Sequence, residues 1–258
     1  MRIQATARFQ ATSARAADMS VRNYHARYRT AGDGRYHTAP CTALSALIVP
    51  ELAHVREPNN HHGQTHRTGW YCARKVGRPL PFESGLERLR MMCLDFDPTV
   101  STFAAQPFSL LWDEGGKTYC YTPDLLIVRL GQPRAVEDVK PLAFRNSRKN
   151  RPAFEAAREA LEPVGLNFAC WTPPGDIFAY NVRYLAGYRR TPVHLTEYLP
   201  PVLEAAASGP LPLAELARAA GPEAWTRPVI YHLLWTHRLH ADLEQPLGHH
   251  TLIARAAS

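Results

Sequence analysis

Between residues 83 and 171 the spacing of apolar residues changes in an order that few folds accommodate. Apolar residues recur every three or four positions over 83–96, which predicts an amphipathic helix that ends before Pro98. The predicted strands that follow are 103–112, 118–130, 135–142 and 166–171, and the predicted second helix is 153–161. The order of helix, three strands, helix and strand predicts a mixed α/β sheet.

Beyond residue 190 the pattern changes to short helices and then to two short strands. Pro192 and the pair Pro200-Pro201 indicate a boundary in this region. The predicted helices are 201–207, 213–220 and 228–238, and the two short strands lie within 239–255. Three helices followed by a β-hairpin form the winged-helix arrangement, so we expect a winged-helix domain over 191–258.

Positive charge is concentrated at the beginning of the chain. The formal net charge is +7, yet residues 1–80 hold 12 Lys and Arg against 4 Asp and Glu, whereas residues 81–258 hold 18 against 19. Residues 1–68 also show little apolar periodicity. We therefore expect a basic, partly mobile N-terminal arm at 1–68, followed by an α/β domain at 69–190.

Arginines and tyrosines are interleaved within this arm. Arginine neutralises phosphates, and tyrosine stacks on bases or packs beside sugars, so the pattern predicts contact with nucleic acid. The alternative is an extension that only keeps the protein soluble. The candidate DNA-binding residues are Arg22, Arg27, Arg29 and Arg35.

Neither membrane insertion nor secretion is indicated. The chain has no run of about 18 apolar residues, and its N-terminus lacks an apolar signal core. Its five cysteines contain no Cys-x-x-Cys pair, which is typical of a reduced cytoplasmic protein. A zinc site built from Cys41, Cys72, His61, His62 and His66 matches no common ligand spacing, and a solvated, His-rich loop is the simpler interpretation.

Two acidic residues and a lysine stand out in the predicted strands. A break at 131–133 would pair Leu130 with Arg134 in a hairpin, which brings Asp124 opposite Lys140 and Asp138 diagonal to Asp124. Because strand side chains alternate between faces, these three would share one face and Glu137 would lie on the other.

Two carboxylates that converge in this way can hold a hard divalent ion such as Mg²⁺. The ion would polarise a phosphodiester and lower the pKa of a bound water, and the lysine would position that water or offset charge that develops in the transition state. The alternative interpretation is that Asp and Lys at strand ends are simply solvated.

These residues also carry a resemblance to a known family. Thr122-Pro123-Asp124 followed by Glu137-Asp138-Val139-Lys140 resembles the signature of the PD-(D/E)XK nuclease superfamily. Glu83-Ser84-Gly85-Leu86-Glu87 at the start of a helix, with Leu94-Asp95-Phe96-Asp97-Pro98 and then Gln106-Pro107, is similar to the catalytic domain of the TnsA family. The resemblance covers residues 83–180, and it implies a restriction-endonuclease-like core.

The resemblance also assigns roles to individual residues. It implies that Glu87 is the helical acid, that Asp124 and Asp138 bind the metal, and that Lys140 is the motif lysine. The carbonyl of Val139 would be a further metal ligand. Glu83 is the alternative helical acid, and Gln106 would support the site from the neighbouring strand. The expected cofactor is Mg²⁺, for which Mn²⁺ would substitute.

TnsA proteins are the endonuclease subunits of heteromeric transposases, so the resemblance implies hydrolysis of DNA at transposon 5′ ends. The expected partners are the transposon ends, a DDE transposase of the TnsB type and an AAA+ ATPase of the TnsC type. Two alternatives stay open. One is a stand-alone restriction or repair nuclease, and the other is a non-catalytic DNA-binding adaptor.

Overall fold

The computed structural model describes residues 22–56, 68–145 and 147–256, which divide into two compact units. The first unit contains the described residues up to Arg88 and Thr99–Thr172, and the second contains Leu89–Pro98 and the described residues from Pro173 onward. Helices and strands occur in both units, so the predicted mixed α/β class is confirmed.

The described residues of the first unit form three sheets. Its strands are β1 (His25–Thr30), β2 (Tyr36–Pro40), β3 (Leu52–Ala53), β4 (Gly69–Cys72), β5 (Pro79–Phe82), β6 (Val100–Ala105), β7 (Phe108–Glu114), β8 (Lys117–Tyr121), β9 (Leu125–Arg129), β10 (Ala135–Val139) and β11 (Asn167–Trp171). One sheet has the order β2-β1-β7-β8, with β3 also paired to β1. A second sheet has the order β11-β10-β9-β6, and β4 pairs with β5 in a third.

Two proline-containing breaks move the chain from one large sheet to the other and back. The predicted strands 103–112 and 118–130 are each two strands, because Pro107 interrupts the first and Pro123 the second. Proline has no N–H to donate to a ladder, so pairing with the same neighbour cannot continue through it. The chain therefore passes from β6 to the β7–β8 hairpin in the other sheet and then returns to β9.

The N-terminal region is part of this framework. Strand β1 lies between β2 and β7, and Ala26 on β1 is fully buried. Leu44 and Leu52 are 1% exposed and belong to the core of the first unit. The expectation of a separate, partly mobile arm is thus wrong for residues 25–53, which supply strands and core side chains. Residues 1–21 and 57–67, including the histidines considered as zinc ligands, lie outside the described residues.

Two α-helices within the described residues contribute to the first unit. Helix α1 (Gly85–Phe96) follows β5, and its first turn is the part that belongs to this unit. Helix α2 (Arg151–Leu161) begins with Pro152 in its first turn, where the missing N–H costs no hydrogen bond. Its buried face, including Phe154 and Leu161, joins the core beside β11.

The second unit contains the other helices and a small sheet. Its helices are α3 (Asp176–Leu185), α4 (Leu195–Ala205), α5 (Leu213–Ala220) and α6 (Glu223–Trp235), and its strands are β12 (Leu211–Pro212), β13 (Leu239–His240) and β14 (Leu252–Arg255). The sheet order is β12-β14-β13. The predicted helix 213–220 is confirmed, but α4 and α6 begin several residues before the prolines that suggested their starts.

The observed division falls after Thr172 rather than at the predicted residue 190. Helix α3 belongs to the second unit because Asn181, which is fully buried, donates to the carbonyl oxygens of Leu243 and Gln245 at 2.9 and 2.8 Å. Among the described residues, no helix has both the length and the apolar character that a membrane span requires.

Two substitutions test whether residues 41–53 belong to the folded core. Leu44→Ala removes a side chain that is 1% exposed, so it should lower the free energy of unfolding by about 2–5 kcal/mol. Ile48→Ala, in the same segment, removes a side chain that is 58% exposed and should cost about 0.5 kcal/mol or less. Urea unfolding measures both values. Equal, negligible effects would mean that this segment is not packed.

Candidate active site

Asp124 lies where the chain returns from one large sheet to the other. Its N–H donates to the carbonyl oxygen of Glu137 at 3.1 Å, and its own carbonyl oxygen accepts from the N–H of Gln106 at 2.8 Å. Its carboxylate Oδ2 accepts from the N–H of Val139 at 2.7 Å. The backbone of Asp124 is therefore bonded to Gln106 on one side and to Glu137 on the other, and its carboxylate is bonded to Val139.

The pairing of β9 with β10 differs from the predicted hairpin register. Glu137 pairs with Leu125, which places Asp124 next to Asp138 rather than opposite Lys140. The connection between β9 and β10 is Leu130–Arg134, whereas the sequence predicts a turn of three residues, 131–133. The register differs by two residues, an even number, so the side chains keep the faces that the alternation predicted.

Lys140 joins the two aspartates. Its Nζ contacts Oδ1 of Asp138, lies 3.7 Å from Oδ2 of Asp124, and donates to the carbonyl oxygen of Val139 at 3.3 Å. Burial alone would lower the pKa of this ammonium, but the charges of Asp124 and Asp138 outweigh it and raise the pKa above its ordinary value. The lysine is thus held in its protonated form between two acids.

Tyr121 is a member of the cluster that the sequence did not indicate. Its hydroxyl donates to Oδ2 of Asp138 at 2.7 Å. Burial, reinforced by the charges of Asp138 and Asp124, raises the pKa of this phenol well above its ordinary value, so the hydroxyl stays a donor. Tyr121 ends β8 in one sheet and Asp138 lies on β10 in the other, so only the fold brings them together.

Glu87 has a structural role at the start of α1. Its N–H donates to Oγ of Ser84 at 3.1 Å, and Ser84 Oγ donates to Oε1 of Glu87 at 2.9 Å. Oε2 of Glu87 accepts from the N–H of Glu83 at 2.8 Å. These contacts resemble a capping box, and Ser84-Gly85-Leu86-Glu87 has the Ser-x-x-Glu sequence that is typical of that motif.

The two candidate helical acids have different surroundings. Oε2 of Glu83 pairs with Nη2 of Arg56 at 3.0 Å. Glu87 is within electrostatic reach of Lys140 and Asp124. Burial raises the pKa of Glu87 although the hydrogen bonds from Glu83 and Ser84 oppose the shift. Of the two acids, Glu87 is the one coupled to the cluster.

The cluster contains more carboxyl groups than cationic groups. Glu87, Asp124 and Asp138 bring three carboxyl groups, and Lys140 brings one positive charge. Burial and the charge of Asp138 raise the pKa of Asp124 well above its ordinary value, and the two aspartates lie within hydrogen-bonding range of each other. Two adjacent carboxylates offer hard oxygen donors, which suit a divalent cation.

The predicted ligand set is only partly assembled. Among the described residues, no three His, Cys, Asp or Glu side chains converge as a ready-made metal site. Asp124 and Asp138 are brought together, whereas both oxygens of Glu87 accept hydrogen bonds at the helix start. The carbonyl of Val139 accepts from Lys140. The pair of aspartates is thus the part of the predicted set that lies together, although both oxygens of Asp138 also contact protein groups, the Tyr121 hydroxyl and the Lys140 ammonium.

Gln106 supports Asp124 from a strained position. Its φ is +46°, which is unusual for a residue with a side chain, and it is 2% exposed. Its N–H bonds to the carbonyl of Asp124, whereas its side-chain Oε1 is buried with no hydrogen-bond partner among the described residues. The supporting role that the Gln-Pro motif implied corresponds to this backbone contact.

The candidate DNA-binding arginines fall into different environments. Arg22 pairs with Glu114 at 2.7 Å and with Glu159 at 2.8 Å. Arg35 is exposed in the turn that follows β1. Arg27 and Arg29 lie on β1 itself, where each guanidinium carbon is 5.3 Å from the ring centroid of Tyr36. Arg22 is therefore an ion-pair residue, and Arg27 and Arg29 form a cationic face.

A scan of the sequence against models of protein families finds no match, and a search among curated proteins finds no significant similarity.

A neutral substitution tests whether ionisation of Asp124 lowers the stability of the folded protein. Asp124→Asn should raise the melting temperature in cation-free buffer near pH 7 by about 2–4 °C, the change that about 1 kcal/mol produces in a chain of this size. The folded-state pKa of Asp124 lies above its unfolded value, so its ionisation lowers the stability of the parent as the pH rises from about 4. The advantage of the variant should therefore shrink toward pH 4 in thermal melts.

The same melts test whether the pair binds a cation. Mg²⁺ or Mn²⁺ should raise the melting temperature of the parent with increasing concentration, because a ligand that binds only the folded state stabilises it. The shift should be lost in Asp124→Asn and kept in Asp113→Asn, which removes an exposed carboxylate elsewhere on the first unit. An equal shift in all three proteins would show that the cation binds elsewhere.

Proposed function

We propose that this chain is a metal-dependent DNA endonuclease and that it acts as the nuclease subunit of a heteromeric transposase of the TnsA type. It would hydrolyse phosphodiesters at transposon 5′ ends. The first unit would be a restriction-endonuclease-like core and the second a winged-helix domain.

The observation that carries the nuclease assignment is the buried cluster of Asp124, Asp138 and Lys140. The side chain of Asp138 is 6% exposed and that of Asp124 is 17% exposed, and the lysine contacts both. Solvated residues at strand ends would face water separately. Burying two carboxylates beside each other is unfavourable, and the arrangement is typical of a site that performs chemistry.

The residues of the cluster divide the work of hydrolysis. Asp124 and Asp138 would hold the divalent cation, and when bound it supplies Lewis-acid polarisation of the phosphodiester and a lowered pKa for a bound water. Lys140 would orient the attacking water and offset the negative charge that develops on the phosphate oxygens. Tyr121 fixes the orientation of Asp138 by its hydrogen bond.

The transposase assignment rests on the motif resemblance of residues 83–180 and on the order of elements in the second unit. Helices α4, α5 and α6 precede the antiparallel strands β13 and β14, the order expected of a winged helix. The expected partners are a DDE transposase of the TnsB type and an AAA+ ATPase of the TnsC type. Mg²⁺ is the expected cofactor, with Mn²⁺ as a substitute.

One observation favours a second candidate function. The whole cluster lies within the first unit, so a stand-alone restriction or repair nuclease could use the same residues without partners. Cleavage by the purified protein alone would favour this function. Cleavage only in the presence of a transposase and an ATPase encoded by neighbouring reading frames would favour the transposase subunit.

The cluster predicts which substitutions abolish cleavage. Lys140→Ala and Asp124→Asn should each lower the rate of DNA strand cleavage by about 100-fold or more, since each removes a group that acts on the transition state. Strand cleavage is measured on plasmid DNA that carries a transposon end, with Mg²⁺ or Mn²⁺, with and without the partner proteins.

Lys117→Ala is the matched control because it removes an exposed lysine from β8, at the end of the strand opposite Tyr121. Its rate should stay within about twofold of the parent. If folded Lys140→Ala and Asp124→Asn proteins cleave as fast as the control, the site assignment is wrong. If no protein cleaves in any combination, the adaptor interpretation gains support.

A second pair of variants separates catalysis from helix capping. Glu87→Gln keeps one of the two accepting oxygens at the start of α1 and removes the charge that reaches Lys140 and Asp124. We expect cleavage to fall by about 10-fold or more with little change in melting temperature. Glu83→Gln should lose only an ion pair with Arg56 and keep its rate. The opposite result would make Glu83 the helical acid.

A further inference from the structure

The hairpin of β1 and β2 presents a cationic face built around one tyrosine ring. Arg29 pairs directly with Tyr36 across the two strands, and Arg27 pairs with Thr38. Directly paired residues in an antiparallel sheet have side chains on the same face, so both arginines and Tyr36 project together. The two guanidinium groups each lie 5.3 Å from the Tyr36 centroid, and the ring is 53% exposed.

The charge of Arg27 is not balanced by the nearest acid. Asp33 in the hairpin turn accepts from the Thr30 hydroxyl at 2.7 Å and from the N–H of Arg35 at 3.0 Å, and it pairs with His37 at 2.8 Å. Within the described ranges, no carboxylate pairs with Arg27, and its Nε is buried without a hydrogen-bond partner. A guanidinium that no carboxylate neutralises, beside a second guanidinium, attracts an anion.

The face is connected to Asp124 by three consecutive hydrogen bonds. The Tyr36 hydroxyl donates to the carbonyl of Val55 at 3.1 Å, and the N–H of Val55 donates to the carbonyl of Gln106 at 2.9 Å. The N–H of Gln106 then donates to the carbonyl of Asp124 at 2.8 Å. Two of these three bonds join backbone groups, so the position of the tyrosine relative to Asp124 is well determined.

The sheet also sets the spacing between the face and the acidic cluster. Arg27 pairs with Ser109 on β7, and the Ser109 hydroxyl bonds to the hydroxyl of Thr122 at 2.7 Å. Arg27 therefore lies two strands, or about 10 Å, from Thr122, which precedes Asp124 by two residues. This separation spans a few successive phosphates of a DNA strand, which rise about 3.4 Å per nucleotide.

We propose that Arg27, Arg29 and Tyr36 form a phosphate-binding subsite for the DNA strand that flanks the scissile phosphate, and that the Tyr36–Val55–Gln106 connection holds this subsite in register with Asp124. The proposal rests on the proposed nuclease function for its ligand. Arginine suits the task because its guanidinium binds a phosphate through two hydrogen bonds, and Tyr36 keeps both guanidinium groups in place by cation–π contacts.

The first experiment measures DNA binding without catalysis. A short DNA duplex of mixed sequence is titrated in EDTA between about 50 and 200 mM salt, and the slope of log affinity against log salt is determined. Arg27→Gln and Arg29→Gln should each weaken binding several-fold and reduce the slope by about 0.9, the value for one lost phosphate contact. Arg27→Lys keeps the charge and should keep the slope.

Lys117→Gln is the matched control, since it removes one exposed positive charge from β8 and should leave the slope unchanged. Thermal melts confirm that each variant is folded. Slopes for Arg27→Gln and Arg29→Gln that equal the control would overturn the subsite, as would an absence of DNA binding by the parent. Arginine-dependent binding without any cleavage under catalytic conditions would instead refute the nuclease function and leave the subsite standing.

The second experiment tests the connection to Asp124 by hydrogen exchange in the presence of EDTA. DNA should slow exchange in peptides that contain Val55 and Gln106 in the parent. Tyr36→Phe keeps the ring between the two guanidinium groups but removes its bond to Val55. It should keep DNA affinity within about twofold and lose much of the slowing at Gln106. Equal slowing in the two proteins would show that the connection does not hold the subsite in register.

Discussion

The hydrogen bond between the N–H of Gln106 and the carbonyl of Asp124 holds together the point at which the chain leaves one large sheet and the point at which it returns. The β7–β8 hairpin lies between these two points in the sequence and belongs to the other sheet. The bond continues the pairing of β6 with β9, which ends at Ala105 and Leu125, into the two proline-containing breaks. The strained φ of Gln106 is consistent with a residue whose conformation is imposed by this closure.

The same crossing explains why acidic groups can be buried beside one another. Asp124 follows Pro123 and meets Asp138 on the adjacent strand, while Tyr121 approaches from the other sheet. Each polar contact offsets part of the cost of removing a carboxylate from water, and burial beside Asp138 favours the protonated form of Asp124 when no cation is bound. The fold thus keeps two carboxyl groups adjacent, and a bound cation would favour the ionised form of Asp124.

The sequence predicted the elements better than it predicted their pairing. The helix at 83–96 and the strand near 166–171 were recognisable because their apolar residues recur at regular spacing. The alternation of side chains also predicted correctly that Asp124, Asp138 and Lys140 share a face, since that conclusion depends on parity and not on the register itself. The register, the change of sheet at Pro107 and Pro123, and the role of Tyr121 depend on tertiary pairing that no local pattern encodes. Residues 25–53 were missed because their strands are short and rich in polar residues.

The positive charge near the N-terminus is carried partly by the folded hairpin of β1 and β2. Carboxylates repel a phosphodiester, so the proposed nuclease site would need cationic groups nearby to offset the repulsion. Those groups would also have to be held rigidly, so that they do not neutralise the acids themselves. A mobile basic arm would satisfy the first requirement but not the second, because a freely moving arginine can pair with the aspartates. Arg27 and Arg29 are held on β1 against the ring of Tyr36, two strands away from Thr122. Their positive charge is therefore placed beside the cluster and kept out of it.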